Sequence, residues 1–566
     1  LFPDMVPALH QLVLPLGFDG IKRKAAENLA GLDFNDIENF SKRDFWQAVI
    51  ICCEGFSLLC ERHAQKAREL MEGADDARRR DLERIAAVCG RIAHNPPDTL
   101  HEALQLTYFI FVGLFIEGNA GGYSPGLLDQ YLIPYYRRDR ERGLSDEDAL
   151  EVIESLWVKF GEQIWYWNEP AAKHYSGFCA FQNIALGGLD TYGRDAVNEL
   201  SYLMLQASID VQMVQPSLSV RLSKKNPEEF FLKIAELVQT GSGFPAIFSD
   251  EVGYKMLLKK GIPAHLARDW APIGCVEAQL AGRHYQWSSA GHYNLGSVVE
   301  FALTNGVHLK SGKKLGADTG DASTFTTYEQ FEEAVYKQLR FLLHQFSVSQ
   351  NLLEQLHYEY LPNPVASMLL TGCIEKGRDL THGGAEFNTG PGMNGNGLAD
   401  FVDSVTAVRK IVFEDKRISM ADLVAAVRAD FEGCEHIRRM LIEDAPKWGN
   451  NNDEADINMT KLFDAIIKEI GTYRGKLGNP KLPALYPVRR RPAFGTQGRQ
   501  ASCGRLFALA GHGQARPNRD PPVARQAAPR LHRRRDAPEH QADPRRGRRG
   551  RRQAAPVRLP EDLPRP

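Results

Sequence analysis

The chain has 566 residues, 43% of them hydrophobic and 25% charged, and a formal net charge of −2 at pH 7. Its length allows a large core, in one barrel or in several domains, and its composition is that of an ordinary soluble globular protein. No window holds the ~18 uninterrupted apolar residues of a membrane span, and no basic stretch followed by an apolar one marks a signal peptide. The start at Leu1 reads as a beginning inside a longer protein. The nine cysteines (52, 53, 60, 89, 179, 275, 373, 434 and 503) are sparse, odd in number and irregularly spaced. They make a poor disulfide framework, and no CxxC pair or Cys/His spacing marks a metal site. A reducing cytoplasm is the expected location, with no metal in the chain.

The first 110 residues are mostly helical by period. Phe45, Val49, Cys53, Phe56 and Cys60 recur every three or four positions, so a helix with an apolar face is predicted there. Core filling is the expected role of Cys52, Cys53 and Cys60, and Cys89 and Cys434 sit in similar helical patterns. Pro96–Pro97 and an Asp98/Thr99 cap precede a strongly apolar helix. Ser145 caps another, with Glu147 and Asp148 well placed in its first turn. The segments "FQNIALGGLD", "QPSLSVRLS" and "GFPAIFSDE" then read as short extended runs, the last two each leading to a helix. This alternation favours an α/β architecture with many helices.

The chemistry changes near Pro487. Residues 487–566 contain no Lys, Ile, Met, Tyr or Trp, and hold 20 Arg against 6 Asp plus Glu, so the first 486 residues are net acidic. Three readings compete: a nucleic-acid-binding basic tail, a disordered linker, and out-of-frame translation of a GC-rich gene. The missing lysines and scarce aromatics speak against the first. Out-of-frame translation accounts best for the Arg, Pro, Ala and Gly, and no nucleic-acid or membrane partner is expected.

"APIGCVEAQ", residues 271–279, is the segment richest in chemistry. Pro272 and Gly274 argue against a helix interior at Cys275. In extended chain, Cys275 and Glu277 would share one side. A neighbouring carboxylate disfavours a thiolate, which counts against a protease-type nucleophile. A neutral thiol beside a proton acceptor suits hydrogen-atom chemistry, although on spacing alone a structural cysteine stays the simpler reading. Cys179 and Cys373, each near glycines and polar groups, are expected to be structural as well.

An ordered series of segments carries more. "HNPPDTLHEALQ" (94–105), "SPGLLDQYLIPYYRRD" (124–139), "YSGFCAFQNIALGG" (175–188) and "QPSLSVR" (215–221) are followed by "IGCVEAQ" (273–279), "CIEKGRD" (373–379) and "GGAEFNTGP" (383–391), with "FGTQ" at 494–497 as a last trace. The series resembles the glycyl radical enzymes of the pyruvate formate-lyase superfamily over nearly all of 1–486. The resemblance implies a ten-stranded α/β barrel of two five-stranded half-barrels surrounded by helices, with 1–486 as the barrel domain and 487–566 as a tail. It implies that Cys275 forms a thiyl radical inside the barrel and that Glu277 is the base. It further implies a small-molecule substrate, a radical S-adenosylmethionine activating enzyme as partner, and a homodimer.

The Gly-Cys-Val-Glu loop lacks the paired cysteines of pyruvate formate-lyase itself. It looks like the branch of dehydratases, C–O and C–C lyases and arylacetate decarboxylases. Diol dehydratases of that branch carry a His-Ser pair where this chain has Ala120-Gly121-Gly122-Tyr123, which points away from glycerol and propanediol. His308 resembles an active-site histidine of the hydroxyphenylacetate decarboxylase type, against the simpler reading of a surface-loop histidine. Tyr175, Ser176 and Phe181 are further substrate-binding candidates, and Trp165 and Trp167 are candidates for an aromatic wall. The family stores its radical on a glycine in an Arg-Val-x-Gly-Tyr-like segment, and nothing in 487–566 fits that pattern. The expected cofactor, a protein glycyl radical, is therefore read as missing from this chain. Two functions follow: a glycyl radical lyase or dehydratase, or an inactive remnant or binding-only scaffold.

Overall fold

The computed structural model describes residues 6–119, 122–166, 169, 180–274, 276–288 and 290–486. Helices dominate the first part: α1 (Leu14–Ala30), α2 (Glu38–Leu70), α3 (Asp76–Ile92), α4 (Leu100–Gly118), α5 (Leu128–Glu141) and α6 (Asp146–Gly161). On α2 the predicted stripe is the buried one: Phe45, Val49, Cys53, Phe56 and Cys60 are each no more than 8% exposed. Cys52, one position off that stripe, is only partly buried. At α4 the cap is Thr99 alone, in a reciprocal capping box with Glu102. Asp98 instead pairs with Arg138 and Arg142. Ser145 caps α6 as expected, accepting from the Asp148 amide.

Helix α4 is long and apolar enough to cross a membrane by length and composition. It is a core helix: Leu104, Leu106, Ile110, Phe111 and Leu114 are buried in the largest apolar cluster. The sequence criterion of an unbroken apolar run passed over it because His101, Glu102 and Gln105 interrupt its start.

Three parallel strands follow, β1 (Ile184–Gly187), β2 (Leu218–Leu222) and β3 (Ala246–Ser249), in the order β1-β2-β3, the first two buried and β3 alternately exposed. They alternate with α7 (Glu199–Val211) and α8 (Glu228–Gln239), as parallel strands require a helical crossover. After α9 (Asp250–Lys259), β4 (Trp270–Ile273) and β5 (Glu277–Leu280) form an antiparallel hairpin. Next come β6 (His284–Gln286), β7 (His292–Asn294), α10 (Gly296–Thr304) and the 33-residue α11 (Tyr328–Tyr360). Strand β8 (Phe387–Thr389) pairs in parallel with β6. Strand β9 (Gly392–Asn396) lies between β7 and β10 (Leu482–Tyr486), parallel to both. Helices α12 (Leu398–Ala407), α13 (Met420–Arg428), α14 (Glu435–Glu443) and α15 (Asp453–Ile470) separate β9 from β10. Among the described residues the ladders form two three-stranded and two two-stranded sheets, an α/β arrangement.

One large apolar cluster gathers α1–α8 with β1 and β2, and a second gathers α10–α15 with β7 and β9. Cys373 is fully buried in the first, so it is core and not site lining. Cys434 stands at the N-cap of α14, a helix boundary and not the helical interior its pattern implied.

Arg221 ties the first sheet to the hairpin. It is 0% exposed on β2 and donates to Asp250 Oδ1 from Nε at 2.8 Å. The same guanidinium donates to the carbonyls of Trp270, Leu189 and Arg268 and lies over the Trp270 ring at 5.0 Å. A planar fork of five donors matches this ring of acceptors, and lysine could not.

Candidate active site

The residues on either side of Cys275 belong to the β4–β5 hairpin. Ile273 and Glu277 are cross-strand partners, and Gly274 has φ +57°, a left-handed conformation that glycine adopts without strain. The chain therefore reverses between them. Cys275 itself lies outside the described residues, as do Tyr175, Ser176, Trp167 and Cys179.

Segments distant in sequence clamp this turn. Ser124 Oγ accepts from the Gly274 amide at 3.3 Å and from the Asn183 amide at 3.2 Å. Asn183 Nδ2 donates to the Gly274 carbonyl at 3.0 Å. Both side chains are buried, at 0% and 2% exposure. A Cβ on Gly122 would sit 3.2 Å from Gly274 Cα and 3.4 Å from Phe181 Cβ, so the backbones approach to a distance that suits glycine. Gly122 also bridges to Phe181, whose carbonyl accepts from the Tyr123 amide at 3.1 Å. Three of the predicted segments thus meet at one turn. Ser124, Asn183 and Gly122 were passed over in the sequence as site residues. Their only signal was membership of the segments "SPG" and "FQN" and of the glycine pair before them.

Glu277, half-buried, folds its carboxylate back over the turn. Its Oε2 accepts from the Val276 amide at 3.0 Å and would lie 3.5 Å from a Cβ on Gly274. Glu277 and Phe181 therefore both flank Gly274. His308 is placed elsewhere in local terms. It sits in the loop after α10, with Nδ1 2.9 Å from Ser311 Oγ, its amide donating to Lys313, and its ring edge-on to Phe301. Trp165 donates from Nε1 to the Asn119 carbonyl at 3.0 Å. A separate cleft of about 700 Å³, lined by Lys42, Phe45, Tyr358, Arg378 and His382, shares no residue with the turn. Among the described residues no group of three or more His, Cys, Asp or Glu is placed to hold a metal ion.

Next to the hairpin, Gln279, His284 and Gln286 are buried and Lys260 is partly buried. Lys260 Nζ donates to the Ala278 carbonyl at 3.0 Å and to Gln286 Oε1 at 2.8 Å. Gln279 Nε2 donates to the Gln286 carbonyl at 3.3 Å. His284, fully buried, faces Thr389 Oγ1 at 3.0 Å. Burial, with Lys260 adding to it, pushes His284 down to about 3. An unfolded histidine titrates near 6.5, so between these values the unfolded chain binds a proton that the native one does not. The stability from the neutral imidazole is present in full above pH 6.5 and is lost as pH falls towards 3. His284→Gln is expected to flatten the fall of the urea midpoint over that window. An equally steep fall in the variant would show that other groups carry it.

The fold and the clamped turn define an α/β protein in which buried side chains from distant segments hold the backbone at Gly274, beside the Glu277 carboxylate. The family model described as pyruvate formate lyase-like matches residues 5–495. The chain belongs to that family, the superfamily of the glycyl radical enzymes. It is 35% identical over 465 residues to trans-4-hydroxy-L-proline dehydratase of Clostridioides difficile, covering 80% of this chain and 58% of that protein. It is 34% identical to isethionate sulfite-lyase of Nitratidesulfovibrio vulgaris over 494 residues, 86% of this chain and 59% of that one. The glycerol-bound B12-independent glycerol dehydratase of Clostridium butyricum superposes with a TM-score of 0.82 at 32% identity, over 90% of this chain and 68% of that one. The chain thus spans about three-fifths of the length of the curated relatives it matches.

Proposed function

We propose that the chain is the substrate-cleaving core of a glycyl radical lyase or dehydratase that breaks a C–O or C–C bond in a small hydroxylated or carboxylated substrate. The observation that carries this reading is the clamped Gly274 turn with the Glu277 carboxylate folded over it. Relatives named as a dehydratase and a sulfite-lyase support it. A ten-stranded α/β barrel of two five-stranded halves is the architecture of this reading.

The glycyl radical of the family supplies the unpaired electron. With its own hydrogen given up to that radical, Cys275 would be a thiyl, would take a hydrogen atom from a substrate carbon, and would return one to the product radical at the end of the cycle. Glu277 would take a proton from the adjacent hydroxyl as the neighbouring bond breaks and pass it to the leaving group, so that a departing hydroxyl leaves as water and the carboxylate is restored. The cradle keeps the loop backbone fixed, because each buried polar atom that holds it would be left unpaired by a shift. Shielding from water protects such chemistry. Phe181, Tyr175 and Ser176 are the substrate contacts of this reading. Activation by a radical S-adenosylmethionine enzyme, a homodimeric assembly and a cytoplasmic location belong to it as well.

The proposal includes a barrel domain over 1–486 and an out-of-frame tail over 487–566. The family match ends at 495, a few residues past that boundary. Another reading frame of the coding DNA beyond residue 486 is expected to encode an Arg-Val-x-Gly-Tyr-like segment. If no frame does, the tail is genuine sequence. For the reaction, the test is anaerobic activation of the frame-corrected protein, with electron paramagnetic resonance and a panel of hydroxyproline, diols, choline, isethionate and arylacetates. A glycyl doublet with elimination of one hydroxylated substrate is expected. A doublet with turnover of arylacetates alone would mean a decarboxylase, and no doublet at all would mean a remnant or a binding scaffold.

A further inference from the structure

Lys260 follows the last residue of α9, beside the small core of Leu257, Ile262, Trp270, Ala278 and Leu280. Its ammonium is turned inward. One proton goes to the carbonyl of Ala278, the residue next to Glu277 on β5, and another to the Gln286 side chain on β6. Those strands belong to different sheets, so the side chain straps the hairpin to its neighbour. Lys260 is partly buried, and a lysine drawn inward must have its ammonium hydrogen bonds replaced, as these two contacts do. Burial holds Lys260 down to about 8, and the Glu277 carboxylate opposes that fall. The titratable groups facing the ammonium are Glu277 from β5 and His284 from β6. His284, held neutral by burial, brings no charge of its own, which leaves Glu277 as the counter-charge.

Resting on the reading of Glu277 as the base, we propose that Lys260 is a positioning residue for Glu277. It anchors the strand that carries the carboxylate through the carbonyl of Ala278, the residue next to Glu277. A merely structural lysine would need the two hydrogen bonds and no coupling to Glu277.

Two measurements test this. In the full chain labelled with carbon-13 on the lysine side chains, the Lys260 signal is assigned by its loss in Lys260→Arg. It is expected to titrate near pH 8 and to move to lower pH in Glu277→Gln, because a neutral amide no longer favours the ammonium. An unmoved midpoint overturns the proposal, whether or not the protein turns over substrate. In the activated protein, Lys260→Met is expected to lower kcat by about tenfold or more with KM little changed, and Lys260→Arg to keep more of it. Wild-type kcat in a folded Lys260→Met also overturns the proposal. If that variant does not fold, the titration in Glu277→Gln decides. Full turnover in Glu277→Gln together with a shifted Lys260 midpoint removes the base reading and leaves the coupling standing.

Discussion

Cys275→Ser is expected to abolish turnover in the activated, frame-corrected protein and to leave its fold unchanged. A serine O–H bond is stronger than the substrate C–H bond to be broken, whereas an S–H bond is close to it, so only the thiyl is a competent yet reversible hydrogen acceptor. Ser and Cys are similar in size, and the hydrogen bonds that hold the turn are made by Gly274, Ser124 and Asn183, none of which the change touches. The thermal midpoint and the far-ultraviolet spectrum should therefore match those of the parent. Glu277→Gln separates the two roles. It should slow elimination by roughly 10²–10⁴-fold, the usual contribution of a positioned base, while still exchanging substrate hydrogen with the solvent-equilibrated thiol. Full activity in Cys275→Ser would remove the radical assignment. Loss of exchange in Glu277→Gln would make the glutamate part of hydrogen abstraction instead.

Arg221→Met is expected to cause the largest loss of stability of any single change, about 3–5 kcal/mol. The reason is what it leaves behind. Asp250 is 1% exposed, and without the guanidinium its carboxylate stays buried with only Arg268 at 3.6 Å. The carbonyls of Leu189, Arg268 and Trp270 lose a donor in the same step. Removing both charges should cost less than removing one, so Arg221→Met/Asp250→Asn should recover part of the loss in urea denaturation. A double variant no more stable than Arg221→Met would show that the carbonyls, and not the stranded charge, dominate. Because Trp270 opens β4, the single variant should also loosen the Gly274 turn, seen as faster amide exchange at Gly274 and Val276.

Much of the helical part was legible. The stripe from Phe45 to Cys60 and the caps at Thr99 and Ser145 depend on neighbours within four residues, which a linear reading sees. The short runs "IALG", "LSVRL" and "AIFS" were legible as strands for a similar reason, being flanked by turn residues and followed by helices. The site was legible only in part. Cys275 and Glu277 stood out through the ordered series of segments, but their geometry did not. The pairing of Ile273 with Glu277 is a property of two strands and is not legible along one. Nothing in Ser124 or Asn183 announces a bond to Gly274, which lies 150 and 91 residues away. His308 stood out by resemblance, yet its described partners are those of its own loop and Phe301 of the helix before it.

Lys260 and Arg221 mark the same boundary. In sequence one is the second lysine of "LLKKG" and the other the last letter of "SLSVR", each as plausible on a surface as in a core. Period, caps and composition determined by themselves where helices form, which faces are apolar and where the chain's chemistry changes at Pro487. Only the tertiary structure decided which polar groups are buried and what satisfies them. A buried charge or amide is stable only with partners at hydrogen-bond distance, and in this fold those partners come from other sheets and other helices.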